Sequence, residues 1–144
     1  MTPAVSYLES PAPSFLFDLD GTLIDSVYQH VSAWRTARPA LALLGLPEDT
    51  PMVTRDLVRH AKPDPDLFLA AAAELGVDPR YAMVVGDSVW DLLAARRARA
   101  LGIGLLSGGY GREELERAGA YRVYSDPADL LSRIYEVGVR GLAE

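Results

Sequence analysis

Short apolar runs that end in polar turns and alternate with helical segments constrain the fold of this chain most strongly. These runs lie at residues 14–17, 81–85 and 103–106, and a further short strand is predicted at 121–124. Their residues do not alternate between polar and apolar, as they would in a strand with one face in water. Strands buried on both faces are typical of parallel sheets covered by helices. The sequence therefore predicts an α/β, doubly wound (Rossmann-like) parallel sheet.

Capping and helix-breaking residues predict helices between these strands. Ser26 is expected to cap a helix over about Val27–Arg38, which Pro39 interrupts, and a short helical stretch at 40–44 follows before Gly45. The later helices are predicted from Asp64-Pro65 to Gly76, over Asp91–Leu101 with Gly102 at the end, over Glu113–Ala118, and from Asp126-Pro127 to about Val137. Residues 1–13 contain three prolines and are expected to form a flexible lead-in to one domain over 14–144.

Composition excludes several classes of function. The net charge of −6 is unsuited to a broad contact with nucleic-acid phosphates. The absence of cysteine excludes disulfides, thiolate catalysis and Cys-based zinc sites. The start, MTPAVSYLES, lacks the basic and apolar regions of a signal peptide, and no apolar run reaches about 18 residues. We therefore expect a cytoplasmic protein with no nucleic-acid or membrane partner.

Carboxylates follow two of the predicted strands. Asp18 and Asp20 come after the first strand, and Asp87 follows the 81–85 strand, with Asp91 one helical turn later. Parallel strands end at one edge of the sheet, so these side chains are expected to converge there. Oxygen ligands in such a cluster select a hard cation, and we expect Mg²⁺. Taken singly, the same residues also suit a turn at Asp18–Asp20, a helix cap at Asp87 and a solvated acid at Asp91.

Lys62 lies in a proline-rich segment just before a predicted helix. A surface lysine in a turn is the simpler interpretation of this residue alone. Beside a carboxylate and metal centre, however, its charge would balance that of a bound phosphoryl group.

Three segments together resemble a known family. FDLDGTLIDS at 17–26, AKPDPDLF at 61–68 and VVGDSVWD at 84–91 occur in the order of motifs I, III and IV of the haloacid dehalogenase (HAD) superfamily. The chain most resembles the phosphoglycolate phosphatase and β-phosphoglucomutase-like branch. The resemblance implies a HAD core fold and hydrolysis of a small phosphorylated metabolite.

The resemblance also implies roles for five residues in the first two motifs. Asp18 is expected to be the nucleophile that forms an aspartyl-phosphate. Asp20 is expected to protonate the leaving group and then to activate water. Lys62 would steady the phosphoryl group and the nucleophile, while Gly21 and Thr22 would shape the substrate-binding loop.

The resemblance implies Mg²⁺ as the cofactor. Its expected ligands are the carboxylate of Asp18, the backbone carbonyl of Asp20 and the carboxylate of Asp87, with Asp91 in support.

The chain departs from this family branch between motifs I and III. Only a few dozen residues separate Ser26 from Pro63, too few for the usual helical cap domain. We infer that the cap insertion is missing between about residues 34 and 36, together with the strand that carries the motif II hydroxyl. Met52–Thr54 is a short candidate strand, so Thr54, and less readily Thr36, would be the candidates to replace that hydroxyl. An exposed sheet edge would favour a homodimer.

Two alternatives to a phosphatase of weak and broad activity remain open. The chain can be an inactive HAD-core remnant that binds Mg²⁺, phosphate or a protein partner, which the missing motif II favours. A receiver-like domain phosphorylated on aspartate is the other alternative. The Asp18–Asp20 spacing disfavours it, because Asp20 is placed to hydrolyse a phosphoaspartate rather than preserve it.

Overall fold

Four parallel strands form the centre of the molecule. The computed structural model describes residues 14–18 and 44–138 of the chain. The strands are β1 (Ser14–Phe17), β2 (Ala82–Gly86), β3 (Leu101–Leu105) and β4 (Ala120–Tyr124). They pair in the order β1-β2-β3-β4, and every pairing is parallel. The predicted parallel α/β sheet is therefore confirmed.

Helices connect the strands. They are α1 (Asp66–Leu75), α2 (Val89–Arg97), α3 (Arg112–Ala118) and α4 (Pro127–Ser132), with short 3₁₀ helices at Arg55–Leu57, Pro79–Tyr81, Leu106–Gly108 and Ile134–Val137. Asp126 caps α4 as predicted, because its carboxylate accepts the backbone N–H of Asp129. Gly76 ends α1 as predicted, in the left-handed conformation that glycine adopts without strain. Among the described residues, no helix is long and apolar enough to cross a membrane.

Several boundary predictions were wrong, including the end of the last helix, which lies at Ser132 rather than at about Val137. The N-cap position of α1 is Pro65 rather than Asp64. Helix α2 begins before Asp91 and ends at Arg97, because Arg99 takes the left-handed conformation (φ 62°) usually supplied by glycine. Gly102 therefore lies in β3 rather than at a helix end.

The segment around Met52–Thr54 also differs from the prediction. Residues 51–54, which the structure describes, carry no strand, and a 3₁₀ helix follows them. The predicted helix over Val27–Arg38, the proposed deletion point at 34–36 and the lead-in at 1–13 lie outside the described residues. Among the described strands, β1 has β2 as its single neighbour.

The core lies on both faces of the sheet. On one face, Leu16 and Val84 pack with Phe68 of α1 and with alanines of α2. On the other face, Met83 and Val85 belong to a cluster that reaches α4 and the last 3₁₀ helix. Every residue of β2 is buried, which explains why its sequence is apolar throughout. Helices thus cover both faces of the sheet in the described part of the chain, as a doubly wound fold requires.

We expect Leu115→Ala to lower the free energy of unfolding by about 2–5 kcal/mol, because it would leave a cavity in a packed cluster. Leu115 of α3 is 0% exposed, whereas Leu131 of α4 is 72% exposed. Leu131→Ala is the matched control and should cost less than about 1 kcal/mol. Urea denaturation of both variants measures the difference, and equal losses would contradict this account of the core.

Candidate active site

Asp18 and Asp87 are brought together by the register of the two central strands. β1 and β2 run in parallel with Phe17 opposite Val85. The backbone N–H of Asp18 donates to the carbonyl of Val85 at 2.9 Å, which extends the strand pairing to Asp18. Asp87 directly follows the last residue of β2. Both carboxylates therefore lie at the carboxyl edge of the sheet, where α/β proteins bind ligands.

Asp91 is fixed by the helix cap of α2. The backbone N–H and the Oγ of Ser88 both donate to Oδ2 of Asp91, at 3.1 and 2.9 Å. The N–H of Asp91 donates to the Ser88 Oγ in return, at 3.2 Å. This reciprocal capping box leaves Oδ1 to point elsewhere. Asp91 is only 1% exposed, so the alternative of a solvated first-turn acid was wrong.

Lys62 joins two of the carboxylates. Its Nζ lies 2.7 Å from Oδ1 of Asp18 and 2.5 Å from Oδ1 of Asp91. The same Nζ lies 5.4 Å from the centre of the Phe68 ring, within reach of a cation–π attraction. The interpretation of Lys62 as a surface residue was therefore wrong, because the side chain is directed into the cluster.

Hydrogen bonds connect the segment that carries Lys62 to two helices, α1 and α2. Oδ2 of Asp66, in the first turn of α1, accepts the backbone N–H of His60 at 2.9 Å. Arg97, at the end of α2, donates to the carbonyl of Pro63 at 3.1 Å. Neither Arg97 nor Phe68 was predicted to support the site. Arg97 lies outside the three quoted motifs, and Phe68 ends the second of them without any spacing that predicts its contact with Lys62.

The three carboxylates form one cluster. Asp18, Asp87 and Asp91 each offer an oxygen within 4.8 Å of the others. The ion pairs of the described residues bring one ammonium, that of Lys62, to this cluster. Three carboxylates and one ammonium leave an excess of negative charge, and an all-oxygen donor set suits a hard cation. The residues present therefore fit Mg²⁺.

The structure describes four of the seven predicted site residues. The structure brings Asp18, Lys62, Asp87 and Asp91 together. Asp20, Gly21 and Thr22 lie outside the described residues.

Burial and crowding disfavour the charged form of Asp18. Burial, and next the negative charge of Asp91, raise the pKa of Asp18 from 3.8 to about 7, although Lys62 opposes them. A hydrogen bond with Asp87 raises it further. Burial also opposes the charged form of Lys62, but Asp91 and Asp18 outweigh it and hold the Lys62 pKa above its ordinary range. At neutral pH, a proton on Asp18 can therefore offset negative charge that a bound cation would otherwise offset.

Thr54 does not meet the expectation for a hydroxyl at the end of a strand. Its Oγ1 donates to the carboxylate of Asp56 at 2.5 Å, at the start of the Arg55–Leu57 helix. The residue therefore engages a local acid. Thr36, the other candidate, lies outside the described residues.

Two close contacts at the cluster involve glycines. A Cβ on Gly86 would overlap with the Cβ of Asp91, and a Cβ on Gly108 would overlap with Oδ2 of Asp87. Gly86 belongs to the third quoted motif, but the contact of Gly108 had no signal in the sequence beyond the glycine itself.

Solved structures with a similar fold support the α/β architecture. A hydrolase from Pseudomonas syringae matches 86% of this chain and 98% of its own, with a TM-score of 0.73 and 35% identity. A HAD family hydrolase from Deinococcus radiodurans R1, solved with bound phosphate and sodium, is 38% identical over 58% of this chain and 38% of its own, with a TM-score of 0.52.

Comparison with curated proteins and family models identifies the family. The phosphoglycolate phosphatase of Rhodospirillum rubrum is 37% identical over 65% of this chain and 39% of its own length. That of Caulobacter vibrioides is 44% identical over 48% of this chain and 29% of its own. The chain thus spans less than two-fifths of these relatives. The model of haloacid dehalogenase-like hydrolases matches residues 40–99, which include Lys62, Asp87 and Asp91. With the fold and motifs already described, these matches show that the chain belongs to the haloacid dehalogenase-like hydrolases.

Proposed function

We propose that this chain is the core of a Mg²⁺-dependent phosphatase that hydrolyses small phosphate monoesters through an aspartyl-phosphate. The observation that carries the proposal is the convergence of Asp18, Asp87 and Asp91 beside Lys62 at the carboxyl edge of the sheet. The names of the curated relatives, phosphoglycolate phosphatases among them, support phosphate esters as the substrate class.

The metal would be held by the carboxylates of Asp18 and Asp87, with Asp91 in support and the Asp20 carbonyl as an expected further ligand. When bound, Mg²⁺ supplies positive charge that lets a phosphate dianion approach the carboxylates. The phosphate and sodium bound to the D. radiodurans relative support a site for an anion and a cation in this fold.

Asp18 is the proposed nucleophile. Its carboxylate oxygen forms a bond to phosphorus while the bond from phosphorus to the ester oxygen breaks. Asp20 gives its proton to that departing oxygen, so the alcohol leaves neutral. Asp20 then takes a proton from water, the water oxygen bonds to phosphorus, and the bond to Asp18 breaks to release inorganic phosphate.

Lys62 has two tasks in this scheme. Its ammonium lies 2.7 Å from the nucleophile and lowers the Asp18 pKa, which favours the ionised form needed for attack. It also places a positive charge where the phosphoryl oxygens must arrive. The contact with Asp91 at 2.5 Å keeps the ammonium in the cluster rather than in solvent.

An inactive remnant is the second candidate function. The hydroxyl of Thr54 bonds to Asp56, so among the described residues the candidate substitute for the motif II donor is engaged elsewhere. Loss of one such donor typically lowers the rate by about 10² to 10³. The receiver-like alternative is less well supported, because the family matches are hydrolases.

The missing cap, the cytoplasmic location and a homodimer through the sheet edge stay predictions. The high coverage of the P. syringae chain supports a short form of the fold, since the match accounts for 98% of that chain.

We expect the purified chain to release phosphate from p-nitrophenyl phosphate with Mg²⁺ but not with a chelator. Asp18→Asn should lower the rate by about 10³-fold or more, because the amide cannot attack phosphorus. Asp49→Asn, at an exposed aspartate in a turn, is the matched control and should keep the rate. No release from a folded sample would reject the phosphatase and favour the remnant.

We expect Thr54→Ala to leave the rate of phosphate release within about twofold of the original, because its hydroxyl bonds to Asp56 rather than to a phosphoryl group. Steady-state kinetics on the same ester measure this. A fall of about 10²-fold in kcat with little change in KM would instead assign Thr54 the missing donor role.

We expect the metal-free chain to become less stable as pH rises from about 4 to about 7. Folded Asp18 holds its proton up to about pH 7, whereas the unfolded chain releases it near 3.8. The folded state therefore binds more protons in this window, so the stabilisation is complete below 3.8 and is lost as pH rises through 7. The Asp18 contribution should be on the order of 2 to 4 kcal/mol.

Denaturant unfolding at a series of pH values in chelator measures this slope. Asp18→Asn should flatten it, because the amide does not titrate. Saturating Mg²⁺ should also flatten it, since the metal binds the ionised carboxylate. A slope that Asp18→Asn leaves unchanged would contradict the raised pKa.

A further inference from the structure

The turn after β3 lies beside the proposed metal site. β3 is the neighbour of β2, with Gly104 opposite Gly86, so the chain leaves β3 next to Asp87. The exit forms a short 3₁₀ helix, Leu106–Gly108, and Gly109 follows in the left-handed conformation (φ 87°). This turn lies outside the residues 40–99 matched by the family model.

Gly108 and Asp87 are in unusually close contact. A Cβ on Gly108 would overlap with Oδ2 of Asp87, and it would lie 2.7 Å from Cγ and 2.5 Å from the backbone oxygen of the same residue. Carbon and oxygen atoms that are not bonded do not approach so closely. The space that any side chain at position 108 needs is therefore filled by Asp87. Asp87 is 8% exposed, so its carboxylate has little freedom to move away.

We propose that Gly108 is a positioning residue of the site: its bare backbone packs against Asp87 and sets the direction of that carboxylate toward the metal. The inference rests on the proposed function, because it takes Asp87 as a metal ligand. Substitution of a residue that orients a metal ligand without binding the metal itself typically lowers metal affinity by about 10- to 100-fold.

Rotation of the Asp87 side chain alone would not make room for a methyl group at position 108. The backbone oxygen of Asp87 would also lie 2.5 Å from the carbon of that methyl group, and this oxygen directly follows the end of β2. The turn or the strand end must therefore shift. A shift of the strand end moves the Asp87 carboxylate relative to Asp18 and Asp91, and a shift of the turn removes the backbone that packs against this carboxylate. The expected consequence is a weaker metal site.

Gly109 provides a matched control in the same turn. A Cβ on Gly109 would have no described atom within 4 Å, but its φ of 87° is unfavourable for alanine. Gly109→Ala therefore strains the turn without touching Asp87, whereas Gly108→Ala touches Asp87 without a positive φ. A difference in metal affinity between these variants reports the contact rather than general damage to the turn.

The test is calorimetric titration of the full chain with Mg²⁺ alone. We expect Gly108→Ala to bind Mg²⁺ at least about tenfold more weakly than the original chain, and Gly109→Ala to bind within about twofold. Equal affinities for Gly108→Ala and the original chain would overturn the proposal while leaving the proposed function intact. No Mg²⁺ binding by the original chain would instead reject the proposed metal site, and this inference with it.

A second pair of variants covers the case in which Gly108→Ala does not fold. Asp87→Ala removes the carboxylate, which is the part of Asp87 nearest to the new methyl group, but leaves the backbone oxygen in place. It should therefore reduce, but not abolish, the loss of melting temperature caused by Gly108→Ala in chelator. The contact is supported if the double variant folds where Gly108→Ala does not, or if Gly108→Ala lowers the melting temperature less when Asp87→Ala is also present. The same loss with and without the Asp87 carboxylate, or failure of both variants to fold, would overturn the proposal.

Discussion

The mutual repulsion of three carboxylates is the constraint on which the rest of the structure depends. Asp18, Asp87 and Asp91 approach within 4.8 Å at the carboxyl edge of the sheet. Burial removes the solvent that would screen them, and burial together with the negative charge of Asp91 raises the pKa of Asp18. Lys62 offsets part of the charge through contacts with two of the three. Among the described residues, the remaining negative charge is left for a proton or a cation to offset, which is why we propose this cluster as the functional site.

Such a cluster persists only because the fold around it is rigid. The register of β1 and β2 fixes Asp18 and Asp87, and the capping box of Ser88 fixes Asp91. All residues of β2 are buried, so the packing around this strand opposes movement of its end away from the repulsion. The core therefore supplies the energy that holds the carboxylates together, and the apolar packing of the sheet is part of the chemistry.

Some of this arrangement was predictable from sequence because it follows from local rules. Apolar strands followed by polar residues predicted both the parallel sheet and the convergence of Asp18 and Asp87. The prediction of a strand at Met52–Thr54 was wrong, because a short apolar run does not by itself specify a strand. The predicted end of α2 at Gly102 was also wrong, because Arg99 takes the left-handed conformation that was expected of a glycine. The contact of Lys62 with Phe68 depends on tertiary packing that no spacing reveals.

The position of the site at strand ends and a helix cap separates its chemistry from substrate selection. Among the described residues, backbone pairing with β2 positions Asp18 and the capping box of α2 positions Asp91. A chain that keeps these elements keeps the charge arrangement needed to meet a phosphate, whatever lies above the sheet edge. Under the proposed function, the core therefore sets the reaction class, while residues outside the cluster select the substrate.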